Sequence, residues 1–148
     1  MKSILAVVLA ASFASTAFAA EGLISVMSPY PVGQTLDRLE AAAKQKGLRV
    51  FARIDHAAGA SSVGKSLRPT ELLIFGNPQG GTPLMECAQS AGIDLPLKAL
   101  AWQDEKGQVW LGYNNPAYLA SRHEIANCPA VGPISKILSG LVAETVSR

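Results

Sequence analysis

The stretch Leu97-Lys98-Ala99-Leu100-Ala101-Trp102-Gln103-Asp104-Glu105-Lys106-Gly107-Gln108-Val109-Trp110-Leu111-Gly112-Tyr113 decides the fold class. Two apolar-rich runs, 97–103 and 108–113, flank the polar turn Asp104-Glu105-Lys106-Gly107, with a glycine where a positive φ is needed. This is the pattern of a β-hairpin. Trp102 and Trp110 sit at similar distances on either side of the turn, so they can face each other as a cross-strand aromatic pair. A chain whose clearest element is a hairpin favours antiparallel pairing over alternating β-α units.

Upstream, residues 21–28 read as a first strand stopped by Pro29 and Pro31. Val32, Leu36, Leu39 and Ala43 then recur at helical spacing over 33–46, with Gly47 as a stop. A second strand over 48–56 alternates, placing Leu48, Val50, Ala52, Ile54 and His56 on one face. Residues 57–69 are rich in Gly, Ala and Ser and read as a loop, and 71–75 as a central strand. A short helix is expected over 82–91. Downstream of the hairpin, helices are expected near 116–124 and over 133–147, the latter with Ile134, Ile137, Leu138, Leu141 and Val142 on one stripe. The order β-α-β-β-α-β-β-α defines an α+β fold, a mainly antiparallel sheet of about five strands with helices packed on it.

Residues 1–19 contain Lys2, an uncharged run over 4–14 and the small-residue site Ala17-Phe18-Ala19. That is the pattern of a cleavable signal peptide, and the run is shorter than the ~20 residues a membrane span needs. Cleavage after Ala19 is expected, leaving residues 20–148 as a single α+β domain in the periplasm or secreted, with no membrane span. Loss of Lys2 leaves basic and acidic side chains nearly balanced, so bulk charge attracts neither nucleic acid nor anionic lipid. Cys87 and Cys128 are an even pair in an oxidising compartment, and a disulfide is the expected state. Two buried unpaired thiols are the alternative.

Gly59-Ala60-Ser61-Ser62-Val63-Gly64-Lys65-Ser66 matches the phosphate-loop pattern letter for letter. That chemistry needs a helix starting at the Lys and Ser. Pro69 follows too closely, and the next segment reads as strand, so nucleotide binding stands as a remote alternative. His56, His123, Cys87 and Cys128 have metal-ligating atoms without ligand spacing, so neither a metal nor a cofactor is expected. His123, beside Arg122 and Glu124, reads as part of a solvated helix face.

Ile54-Asp55-His56-Ala57-Ala58-Gly59-Ala60, Leu67-Arg68-Pro69-Thr70, Ile74-Phe75-Gly76-Asn77-Pro78 and Leu95-Pro96-Leu97, followed by the Trp102 and Trp110 hairpin, form an ordered set of motifs. They cover about residues 54–113 and resemble the bacterial family catalogued as domain of unknown function 302. The resemblance implies a small α+β fold, often oligomeric, with no established enzymatic activity and no catalytic residue to carry over. His56, Arg68, Asn77 and Tyr113 fall on motif positions and are the ligand-binding candidates. Arg68 can clamp a carboxylate or phosphate, or pin its loop to backbone carbonyls; Asn77 before Pro78 suits an Asx-type turn. Cys87 and Cys128 lie outside the family pattern.

These residues lead to a non-enzymatic envelope protein, compatible with a homodimer, that binds a small ligand or protein partner near His56 and Arg68. A hydrolase or isomerase with His56 as general base is the competing class. An interaction module without a pocket is a third.

Overall fold

The computed structural model describes residues 20–148, so the expected signal segment lies outside the described residues. Five strands form one sheet: β1 (Leu23–Ser28), β2 (Arg49–Asp55), β3 (Thr70–Gly76), β4 (Leu97–Gln103) and β5 (Val109–Asn114). Their spatial order is β1-β5-β4-β3-β2, and every neighbouring pair is antiparallel. Five helices accompany them: α1 (Val32–Gln45), α2 (His56–Ser62), α3 (Pro78–Cys87), α4 (Pro116–Arg122) and α5 (Val131–Val146). A 3₁₀ turn, Gln89–Asp94, follows α3. This is the α+β class expected.

The hairpin closes around one side chain. Asp104 Oδ1 accepts from the backbone N–H groups of Lys106 and Gln108, each at 2.9 Å, and Oδ2 accepts from the Trp110 indole at 2.8 Å. Gly107 sits at φ 79°. The Trp110 bond, helped by the Gln108 and Lys106 backbone donors, holds the Asp104 carboxyl below its ordinary pKa. Its contribution is therefore complete at neutral pH and is lost only as pH falls through that lowered value. Trp102 and Trp110 are direct cross-strand partners, as their spacing implied.

Helices α1 and α5 pack on one face of the sheet. Leu36, Leu39, Leu138 and Leu141 bury against Leu73, Phe75 and Leu111, all of them 1% exposed or less. Each such side chain contributes ~1.5–3 kcal/mol by leaving water. The central strand presents the alanines Ala99 and Ala101 to this layer, and both are buried. Small residues there leave room for α1 to lie close over β3 and β4.

By register, the opposite face carries Leu23 and Met27, Trp110, Leu100 and Trp102, Leu72 and Ile74, and Ile54. It stays partly open, and Met27 is 61% exposed.

Three sequence expectations are corrected. The 57–69 segment begins as helix α2, because Asp55 caps it by accepting from Ala58 N at 2.9 Å and an alanine-rich turn follows. Gly59 to Ser62 therefore lie inside a helix, and Lys65 follows its carbonyl end. That is the reverse of a phosphate cradle, where the Lys opens the helix. Helix α3 starts at Pro78 instead of near Thr82, with Asn77 Oδ1 accepting from Gly80 N at 2.9 Å. In β2 a register shift between Val50 and Ala52 inserts Phe51 as a bulge. Val50 then pairs with Phe75, while Ala52 and Ile54 pair with Ile74 and Leu72. The single apolar row expected along β2 is thus split between the two faces. Arg53, opposite Leu73, turns toward α1 and bonds Glu71 at 2.7 Å, Asp37, and the Gly33 carbonyl at 3.0 Å.

Cys87, at the end of α3, is disulfide-bonded to Cys128, with Cα atoms 6.1 Å apart and a sequence separation of 41. The bridge fastens α3 to the segment that leads into α5. Chain entropy assigns a loop of this length ~4 kcal/mol. Replacing both cysteines by serine is expected to lower the unfolding free energy by about that amount in urea titrations. An unchanged midpoint would show that the bridge contributes nothing.

Candidate functional site

A deep concavity lies at the edge of the sheet, where β2 and the ends of β3 and β4 meet α3, the 3₁₀ turn and α5. It measures about 370 Å³. Leu48, Phe51, Met85, Leu95, Ile134 and Ile137 supply most of its apolar wall. Phe51 is 48% and Ile137 41% exposed, so the opening displays apolar side chains that a closed core would cover. Gly80, Gly81 and Gly92 line it as well. A Cβ on Gly92 would stand 3.2 Å from Met85 Sδ, and one on Gly81 3.4 Å from Leu95 Cδ1, so larger residues would crowd the wall. The disulfide holds two of its flanks, α3 and the approach to α5.

The four ligand-binding candidates do not meet. Asn77 lines this cleft, with its side-chain oxygen engaged as the cap of α3. Arg68 lines a separate hollow of about 270 Å³ on the open sheet face, with Leu23, Leu67, Leu100 and Trp102. There its Nε donates to the Gln103 carbonyl at 3.1 Å, the loop-pinning role weighed from the sequence. Tyr113 is buried on the helix-covered face, and burial pushes its phenol above the ordinary pKa. His56 opens α2 as an exposed residue and lines neither hollow. Neither of these two hollows is lined by both His56 and Arg68.

One polar cluster escaped the sequence reading. His123, assigned there to a solvated face, is only 7% exposed at its side chain. Its Nε2 lies 2.6 Å from Asp94 Oδ2, and its Nδ1 3.0 Å from Ser90 Oγ. Arg122 donates to the other Asp94 oxygen at 3.0 Å. Glu124, at φ 58°, reverses the chain after α4, and Ile125 N returns to the Ala120 carbonyl at 2.8 Å. Serine, histidine and aspartate in contact have the composition of a nucleophilic triad. None of the three lines either hollow, and both Asp94 oxygens are occupied. The cluster works as a latch tying α4 to the 3₁₀ turn beside the cleft. No local signal announces it, because Asp94 and His123 are 29 positions apart.

The chain matches the family model described as "Domain of unknown function DUF302" over residues 24–143, and it belongs to that family. A solved structure, the uncharacterized conserved protein DUF302 from Bacillus stearothermophilus, superposes with a TM-score of 0.76 at 23% identity. The match covers 85% of this chain and 99% of that one, and it shows the same fold. A curated relative, "Fluoride-specific ion channel FluC 1" of Brucella suis biovar 1, is 53% identical over 104 residues. "Fluoride-specific ion channel FluC 2" of Brucella melitensis biotype 1 is 53% identical over 104 residues as well. The matched segment is 70% of this chain but 41% and 38% of those relatives, so the chain spans well under half of their length. No helix among the described residues is long and apolar enough to cross a membrane.

The latch has a measurable order of costs. Asp94→Ala leaves a buried imidazole without its acceptor and is expected to cost ~1–3 kcal/mol. Arg122→Ala, at an exposed pair, is expected to cost less than ~1 kcal/mol. Denaturant midpoints check this, and equal losses for the two variants would refute the latch.

Proposed function

We propose that this chain is an exported, non-enzymatic binding domain whose edge cleft takes a small, largely apolar ligand. The observation that carries this reading is the cleft itself, an opening of about 370 Å³ walled by Leu48, Phe51, Met85, Leu95, Ile134 and Ile137. Ligand sites are typically concave, mostly apolar and ~300–1,000 Å³ in volume. An engineered apolar cavity of ~150 Å³ already holds benzene. The signal-peptide pattern of residues 1–19 supports export, and an oxidising compartment suits the Cys87–Cys128 bridge.

The open sheet face supports a second reading, association with a protein partner. Five strands ~4.8 Å apart and six residues long at ~3.3 Å rise give it a footprint of about 480 Å² per copy. Two copies packed face to face would bury about 1,000 Å², the lower limit of a specific interface. At its centre the Trp102 ring packs over Gly112, where an added Cβ would come within 2.9 Å of it, and the paired Trp102 and Trp110 give the face a broad apolar surface. A homodimer is therefore the favoured assembly. The Brucella relatives favour a related role. In chains named as fluoride channels, the homologous segment shares a polypeptide with sequence outside the match. The domain of this chain would then serve a transport protein in the membrane.

Fluorescence titration of the protein with an environment-sensitive apolar dye is expected to saturate at one site per chain. Ile137→Asp, at a partly exposed position on the rim, should abolish it without unfolding the protein. Retained binding in that variant would move the site elsewhere. For the open face, light scattering of the purified chain is expected to give twice the mass of one copy, and Met27→Asp should halve it. A monomer that instead sediments with vesicles holding the channel segment would assign the face to that partner.

A further inference from the structure

We propose that the cleft ligand is an amphiphilic oxyanion, its alkyl chain lying between α3 and α5 and its head group at Arg49; this rests on the cleft being a binding site.

The bulge in β2 places the cation. Arg49 opens this edge strand and pairs with Gly76, which lines the cleft. Phe51, the extra residue of the bulge, also lines the cleft. The Arg49 guanidinium carbon stands 5.2 Å from the centre of the Phe51 ring. Arg49 does not itself line the cleft, but it stacks on a residue that forms part of the apolar wall, which puts its guanidinium within reach of a head group at the rim. Bulges recur next to binding sites because the inserted residue re-aims side chains on the strand. An aromatic ring under a guanidinium orients it while leaving its edge of N–H donors free.

Charge pairing separates Arg49 from its neighbours. Lys44 is held by Glu40 at 2.7 Å, Lys46 by Glu144 at 3.0 Å, and Arg53 by Asp37 and Glu71. Lys98, near the cleft's Leu95 and Pro96, donates to the carbonyls of Asp94 at 3.0 Å and Pro96 at 2.9 Å. Among the described residues no carboxylate pairs with Arg49, and none lines the cleft. A ligand entering with a negative head would meet one fork of donors and no like charge. Guanidinium binds carboxylate and phosphate bidentately, which an ammonium cannot do. An apolar trough with a ring-stacked cation beside it selects a molecule of the same polarity.

Isothermal titration of the processed protein with decanoate, decyl phosphate, decanol and acetate tests this. Decanoate and decyl phosphate are expected to bind about tenfold or more tighter than decanol, and acetate not to bind measurably. Arg49→Gln should erase the preference for the anions while leaving decanol affinity unchanged, and Arg49→Lys should restore part of it. Equal affinities for decanoate and decanol in the wild type, or a preference that survives Arg49→Gln, would overturn the assignment. Retention on phosphatidylglycerol vesicles without binding of monomeric decanoate would also overturn it, giving Arg49 to a membrane surface. Failure of decanol and decanoate alike would remove the binding cleft itself, a result distinct from loss of anion preference.

Discussion

The packing of α1 and α5 on one face of the sheet is the constraint from which the other features follow. Leu36, Leu39, Leu138 and Leu141 dock on Leu73, Phe75 and Leu111, and the alanines of β4 let the helices approach. Five antiparallel strands have two faces, and this layer covers one of them. The other keeps Met27, Leu100, Trp102 and Trp110 in partial contact with solvent. Contiguous apolar patches commonly mark an interaction surface, and the partner reading proposed for this face starts from that sidedness.

The same sidedness creates the cleft. Ile134 and Ile137 of α5 line one side of it, and α3 with the 3₁₀ turn lines another at the ends of β3 and β4, leaving a trough between them. Local chemistry keeps it open. Glycines 80, 81 and 92 thin the wall, Asn77 fixes where α3 begins, and the Cys87–Cys128 bridge joins two of the flanks. The Ser90, Asp94 and His123 latch holds the 3₁₀ turn from behind. An apolar binding surface costs stability because it stays wet without a ligand, and covalent and hydrogen-bonded ties around it offset that cost.

Edge strands are usually protected by charge, by bulges or by covering elements. β2 has the first two. Its bulge at Phe51 interrupts regular pairing, and Arg49 and Arg53 put charge on either side of it. Arg53 spends its charge on Asp37 and Glu71, binding the edge to α1. Arg49 lies against the ring of Phe51, a residue that lines the cleft. The bulge that protects the edge also supplies Phe51 to the wall of the cleft.

Sequence by itself determined the hairpin at Asp104 to Gly107, the strand order along the chain, helices α1 and α5, and the family. All of these rest on local periodicity, turn chemistry or contiguous motifs. It pointed to Cys87 and Cys128 through composition and compartment. It misjudged α2, because Gly, Ala and Ser suit loops as well as short helices and only the Asp55 cap decides between them. The alternation along β2 failed at one residue, since a bulge changes the register of everything after it. Tertiary structure alone decided that Asn77 enters the apolar cleft while Arg68 lies on the open face and Tyr113 under the helices. It alone joined His123 to Asp94, and it alone stacked Arg49 on the bulged Phe51. Those positions depend on how distant segments pack, and a one-dimensional pattern carries no term for the meeting of residues that are neighbours only in space.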